Sequence, residues 1–114
     1  ERASDNRLAA LRRTATVELV ESRDDRVEPS AVTASLAERG VERLMIEGGG
    51  ETIASFLGAG LVDDVYVYVA PVFVGGREAP TLVDGEGFLD YVNAKLEDVE
   101  RVGEGVVLRY VIEG

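Results

Sequence analysis

Residues 43–57 read RLMIEGGGETIASFL, and this stretch decides the fold. It opens on the short apolar run 43–46, which is typical of a β-strand buried on both faces. Three glycines follow, and the apolar side chains of residues 52–59 then recur at helical spacing. The stretch therefore predicts a strand, a tight glycine turn and a helix, the unit from which parallel α/β sheets are built.

The same alternation of strands and helices extends in both directions. Upstream, residues 5–13 predict the end of a helix, residues 16–20 a β-branched strand, and Pro29 opens a helix that stops at Gly40. Downstream, residues 65–70 (VYVYVA) have the strongest strand pattern of the chain. Helical crossovers imply parallel pairing with right-handed connections, so these elements predict a parallel βαβαβ arrangement.

The pattern changes after the glycine pair Gly75-Gly76. Loop-forming residues come first, and residues 95–102 and 106–112 then predict two strands joined by a short glycine turn. Residues 21–28 are mostly charged and predict an exposed loop. The fold expected for the 114 residues is one α/β domain whose mixed sheet is parallel at first and ends in an antiparallel hairpin.

Composition excludes several kinds of chemistry. The chain has neither Cys nor His, so it cannot form disulfides, thiolate metal sites or a Ser-His-Asp triad by itself. Its formal net charge of −10 argues against a nucleic-acid partner. No apolar run approaches the roughly 20 residues of a membrane span, and no signal-peptide core opens the chain. We therefore predict a cytoplasmic protein.

The charged residues are mostly acidic, and almost all of the basic ones are arginine. Eleven of the cations are Arg and only Lys95 is a lysine, against 22 Asp and Glu. This balance suggests a proteome adapted to high salt, where screening removes the self-repulsion of an acidic surface. An ordinary acidic protein is an equally good interpretation of the composition.

The glycine turn is the first candidate site. Glycines persist where the backbone takes positive φ or where something approaches closely. The N-terminus of the following helix offers unpaired N–H groups and a positive dipole end, so the turn predicts a site for phosphate or pyrophosphate. The alternative, that the glycines only allow a tight, well-packed turn and bind no ligand, is left open by the sequence. The spacing fits neither a Rossmann fingerprint nor a P-loop.

Glu47 is the second candidate, because a carboxylate at the end of a parallel strand points into the crevice where α/β ligands bind. It could instead cap the glycine amides. Asp63 and Asp64 favour a turn over a metal site. Tyr66 and Tyr68 alternate with valines and favour packing in a core or an interface.

Three segments together resemble one known family. They are MIEGGGET at residues 45–52, LGAGLVDD at residues 57–64, and YVAPVFVGG at residues 68–76. This string is similar to the reductase domain of riboflavin biosynthesis, found in bacterial bifunctional deaminase-reductases and in stand-alone archaeal and fungal enzymes. The resemblance runs from about Arg7 to the end of the chain.

The resemblance implies a dihydrofolate-reductase-like fold with helices on both faces of the sheet. It also implies NADPH as cofactor, a ribosylaminopyrimidine phosphate as substrate and a homodimer. Carried over, Glu47 contacts substrate. The residues that bind cofactor are then Gly48, Gly49, Gly50, Glu51, Thr52, Ile53, Ala54 and Ser55.

Family domains are about twice this length and open with a Ser-Leu-Asp-Gly-like segment that has no counterpart here. The chain therefore corresponds to the later half of the domain. Three hypotheses follow from the sequence. The first is part of the pyrimidine reductase, the second is another reductase on the same fold, such as one acting on folate, and the third is a non-catalytic half-domain that serves in assembly.

Overall fold

The computed structural model describes residues 4–114, and the chain forms two compact units. The first unit is Glu1–Leu44 and the second is Met45–Gly114. No helix among the described residues is both long and apolar enough to cross a bilayer.

The first unit contains two helices and a small hairpin. Helix α1 is Asp5–Arg12 and helix α2 is Pro29–Glu38, with Pro29 in the first turn as predicted. Gly40 has a φ of +82° just after α2, a conformation that favours glycine. The sequence predicted both helices to within about a residue of these bounds.

The predicted exposed loop at residues 21–28 is in fact a hairpin. Strand β1 (Ser22–Arg23) pairs antiparallel with β2 (Arg26–Val27). Asp24 and Asp25 form its turn with φ of 51° and 61°, as in a type I′ turn. The prediction was wrong for two reasons. The charged residues show no apolar alternation typical of strands, and two consecutive Asp residues rarely both take the left-handed conformation that this turn needs.

The second unit contains helix α3 (Gly50–Gly58) and a three-stranded antiparallel sheet. The strands are β3 (Asp64–Val69), β4 (Ala94–Val102) and β5 (Gly105–Ile112). Their spatial order is β3-β5-β4, so β5 lies in the centre. The C-terminal hairpin and the strand after α3 are confirmed.

Register gives this sheet one apolar and one polar face. Val65 lies opposite Tyr110, and Val67 lies opposite Leu108. Since directly opposed residues share a face, β4 adds Leu96 and Val99, which pair with the same two β5 residues. The other face carries Tyr66, Tyr68, Asp98, Glu100 and Arg109.

Gly105 begins the central strand and is the only buried residue of the described part of the chain. A Cβ built on Gly105 would lie 2.5 Å from the carbonyl O of Val69 and 2.6 Å from the hydroxyl O of Tyr68. The Tyr68 ring thus covers the glycine, a packing device used in sheets to protect a bare backbone. This position tolerates no side chain without displacing β3.

The predicted parallel βαβαβ arrangement is not confirmed. Residues 16–20 and 43–46 are not in strands, and all pairs among residues 4–114 are antiparallel. A segment becomes a β-strand only when a neighbouring strand pairs with it through hydrogen bonds. An apolar pattern predicts that the segment is buried, but it does not supply that neighbour. Neither segment has such a neighbour within the described residues.

Large apolar side chains remain exposed on this sheet. Leu96 is 49% and Val99 is 54% exposed on the apolar face, and no hydrophobic residue of the described chain is fully buried. Exposed apolar patches of this kind mark surfaces that associate with other polypeptide.

Candidate functional site

The glycine turn leads directly into α3, as predicted. Gly49 is the N-cap, with φ −67° and ψ 164°, and the helix begins at Gly50. None of the three glycines has positive φ. Backbone conformation therefore does not explain any of the three glycines.

Each glycine has a different neighbour. A Cβ on Gly48 would lie 3.1 Å from the Thr52 Cβ, so Thr52 folds back over the turn. A Cβ on Gly50 would lie 2.5 Å from Oδ2 of Asp84. A Cβ on Gly49 would meet nothing within 4 Å. The chain itself therefore does not require glycine at position 49.

Open space at Gly49 is what a phosphate needs. The residue has ordinary extended dihedrals, and any side chain would project into the space before the helix N-terminus. A glycine there lets a ligand approach the backbone and reach the positive end of the helix. The residues present thus fit a phosphate-bearing cofactor.

The predicted cofactor residues divide into two groups. Glu51, Thr52 and Ser55 are exposed, whereas Ile53 and Ala54 are half-buried. The Ser55 hydroxyl donates a hydrogen bond of 2.8 Å to the carbonyl O of Glu51, one turn back in α3. The side chains of Glu51, Thr52 and Ser55 are therefore accessible from solvent, whereas those of Ile53 and Ala54 are partly covered.

Glu47 lies immediately before this turn and is exposed. Among residues 4–114 its carboxylate has no hydrogen bond or ion pair with another side chain or with the glycine amides. The alternative that it caps these amides is therefore not seen. Its carboxylate is available to a ligand.

Asp84 is a residue of this region that the sequence did not reveal. It is half-buried, and both its carboxylate and its backbone N approach Gly50 at the start of α3. Further along, the Phe88 ring comes 3.2 Å from a Cβ built on Gly58, at the other end of the helix. Residues 81–88, which we call the strap, thus lie along α3. The glycines at the two ends of the helix were the only signal for it.

Asp64, the first residue of β3, has a structural role. Arg109 donates a hydrogen bond of 2.9 Å from Nε to Oδ1 of Asp64, and its Nη2 forms an ion pair of 2.8 Å with the same oxygen. This hydrogen bond, followed by the charge of Asp64, raises the pKa of Arg109 above its ordinary value. The guanidinium also lies 5.8 Å from the Tyr66 ring centre. No group of three potential metal-ligating side chains occurs within residues 4–114.

The second glycine turn, Gly75-Gly76, differs from the first in its backbone conformation. Gly75 and Gly76 have φ of +64° and +98°, and the neighbouring Phe73 and Val74 are exposed. These two glycines are explained by their backbone conformation.

Comparison with known sequences identifies one family. The sequence profile of the RibD C-terminal domain family matches residues 1–108. The 2,5-diamino-6-ribosylamino-4(3H)-pyrimidinone 5′-phosphate reductase of Archaeoglobus fulgidus is 48% identical over 72% of this chain and 36% of its own length. The enzyme of that name from Methanothermobacter thermautotrophicus is 41% identical over 100% of this chain and 53% of its own.

Solved structures agree on the fold. A pyrimidine reductase-like protein from Corynebacterium diphtheriae superposes with a TM-score of 0.79 at 22% identity, covering 96% of this chain and 44% of the other. RibD of Acinetobacter baumannii gives a TM-score of 0.70 at 24% identity, over 97% of this chain and 30% of its own. The chain thus spans half or less of these proteins.

Proposed function

Because the chain belongs to the RibD C-terminal domain family, we propose that it is part of an oxidoreductase of riboflavin biosynthesis. The proposed reaction is the NADPH-dependent reduction of a ribosylaminopyrimidine 5′-phosphate to the ribitylamino compound, in the cytoplasm. The observation that carries the proposal is the reductase name borne by relatives that are 48% and 41% identical to this chain. The open Gly49 before α3 supports it.

The chain is, in this proposal, the C-terminal half of a longer reductase domain. It spans 36% and 53% of the length of the two archaeal relatives. Residues 16–20 and 43–46 become parallel strands there, beside neighbours that lie outside this sequence. The exposed apolar side chains of the second unit support this assignment, since they need a covering layer.

In this proposal, the chain's own residues bind the cofactor and orient the substrate. The first turn of α3 and the open space at Gly49 hold a cofactor phosphate, and the Glu47 carboxylate accepts a hydrogen bond from the pyrimidine substrate. When bound, NADPH would supply the hydride and water would supply the proton that the reduction also consumes, so neither would come from a residue or metal of this chain. Holding donor and acceptor in fixed geometry supplies the protein's share of the rate.

Glu47→Gln tests the substrate contact. In the full-length protein, turnover of the ribosylaminopyrimidine phosphate should fall about tenfold or more, because a charge-assisted hydrogen bond becomes a neutral one. NADPH affinity should change less than twofold. Steady-state oxidation of NADPH and a direct titration of NADPH measure the two quantities. Equal losses of NADPH affinity and thermal stability would mean that Glu47 is structural.

A folate reductase on the same fold is the alternative activity. The same preparation, assayed with dihydrofolate in place of the pyrimidine, separates the two. If the protein reduced dihydrofolate and did not reduce the pyrimidine, dihydrofolate would replace the pyrimidine as the proposed substrate.

We also propose that the protein is a homodimer from a high-salt proteome. Salt screens the acidic surface and strengthens apolar burial. Raising the salt concentration from about 0.1 to about 2 M should therefore shift the monomer–dimer equilibrium toward the dimer. Static light scattering at both concentrations measures the mass. A monomer under both conditions would contradict this prediction.

A further inference from the structure

The strap contains Asp84-Gly85, the single Asp-Gly pair of a sequence that has no Asn-Gly pair. In such a pair, the backbone nitrogen of the glycine can attack the carboxyl carbon of the aspartate and close a succinimide ring. Glycine favours this reaction because it has no Cβ to hinder the approach and because its backbone reaches conformations closed to other residues. Asp84 is therefore the aspartate of this chain that is best placed to react with its own backbone.

The attacking nitrogen is accessible in the structure. Gly85 is exposed and has a φ of +97°, a conformation that favours glycine. Among residues 4–114 its N–H donates no hydrogen bond to another group of the protein. No helix or strand thus restrains the Gly85 nitrogen.

The carboxyl group of Asp84, in contrast, is restrained at both oxygens. The Thr81 hydroxyl donates a hydrogen bond to Oδ1. Oδ2 lies against α3, where it would be 2.5 Å from a Cβ built on Gly50. Ring closure requires the carboxyl carbon to turn toward the Gly85 nitrogen, and these two contacts resist that rotation. The reaction therefore needs the strap to open from α3.

We propose that Asp84 is a site of spontaneous isoaspartate formation whose rate is set by opening of the strap from α3. The Gly85 nitrogen bonds to Cγ of Asp84 and loses its proton, while one carboxyl oxygen takes up protons and leaves as water. Water then adds to one of the two ring carbonyls. Addition at one carbonyl restores Asp84, and addition at the other leaves the chain running through the side-chain carbon. The overall change is an isomerisation that consumes no cofactor or oxidant.

The product alters the fit of the strap on α3. Isoaspartate places one additional carbon in the main chain and leaves a shorter carboxylate branch. The native contact has no spare room, because a Cβ on Gly50 would also lie 2.8 Å from the Asp84 backbone N. Isomerised protein should therefore show faster amide hydrogen exchange in residues 81–88 than unmodified protein.

Peptide mapping of the full-length protein tests the site itself. After incubation near physiological temperature and neutral pH, trypsin releases residues 78–95 as one peptide, which contains Asp84 and Asp90. A protease that cuts before aspartate does not cut before isoaspartate, so cleavage at Asp84 should decline with time. Asp90 precedes Tyr91 and is the control, at which cleavage should persist. Equal loss at both positions, or loss at Asp84 only in urea-unfolded protein, would overturn the proposal.

Variants of Thr81 test control by the strap. Thr81→Val removes the hydrogen bond to Oδ1, and the folded full-length variant should form isoaspartate about fivefold faster, the factor that corresponds to one side-chain hydrogen bond. Thr81→Ser keeps the hydroxyl and should react at nearly the rate of the unmodified protein. Thermal unfolding establishes that both variants are folded. A rate in Thr81→Val equal to that in Thr81→Ser would overturn the role of the strap.

Urea below the unfolding transition gives a readout that needs no variant. It favours opening of weakly held segments, so it should raise the rate at Asp84 in the unmodified protein while the sheet stays folded. A rate that does not respond to urea in this range would also overturn the proposal, since ring closure would then proceed with the strap in place on α3.

Discussion

Gly105→Val should disrupt the three-stranded sheet. The new Cβ would lie 2.5 Å from the carbonyl O of Val69 and 2.7 Å from Cε2 of Tyr68, so β3 would have to move away from β5. Overpacking alone costs about 1–3 kcal/mol, and loss of strand pairing adds to it, so we expect a free energy of unfolding lower by about 3 kcal/mol or more. Urea unfolding followed by circular dichroism measures the change.

The control for this prediction is a glycine with free space. Gly49→Ala places a methyl group where nothing lies within 4 Å, on ordinary backbone dihedrals. Its free energy of unfolding should change by less than about 1 kcal/mol. If Gly105→Val were as mild as Gly49→Ala, the contact of Tyr68 with Gly105 would not hold in solution.

Gly49→Val should remove cofactor binding while leaving the fold intact. A branched side chain would fill the space before α3 that the phosphate needs, and we expect NADPH affinity to fall at least about thirtyfold, or about 2 kcal/mol. Stability should change by less than about 1 kcal/mol, since the site is open. Fluorescence titration with NADPH and thermal unfolding measure the two effects on full-length protein.

Gly49→Ser separates helix stability from ligand binding. Serine is a better N-cap than glycine, so this variant should stabilise α3 by a few tenths of a kcal/mol. Its hydroxymethyl group still intrudes on the phosphate position, so affinity should fall. Tighter NADPH binding in Gly49→Ser would show that the ligand does not approach this residue.

The sequence predicted the parts of the fold that depend on local pattern. The alternation in residues 65–70 placed β3, and Gly103-Glu104-Gly105 placed the final turn, because neighbouring residues alone determine both. Pairing partners depend on residues far apart in the chain. The apolar run at residues 43–46 predicted burial, but which strand lies beside it cannot be read from the run itself.

For the candidate site, too, the sequence predicted the local element but not the contacts between distant residues. Three glycines before an amphipathic stretch were enough to place α3 to within two residues, whereas the open position at Gly49 became visible only in the structure. Asp84 was not predictable, because it lies in a loop without periodicity, 34 positions after Gly50. Only the folded chain brings the two together.

The outer strand β4 has a consequence for solution behaviour. Its residues are all exposed, it carries Lys95, Glu97, Asp98, Glu100 and Arg101, and its pairing with β5 is irregular between Leu96 and Asp98. Charges and an irregularity on an edge discourage other strands from adding there, whereas β3, with its run of valine and tyrosine, has no such protection. Any ordered growth of this sheet is therefore one-sided. Two copies meeting at β3 would each present β4 outward, so the growth stops at a pair rather than continuing into a fibril.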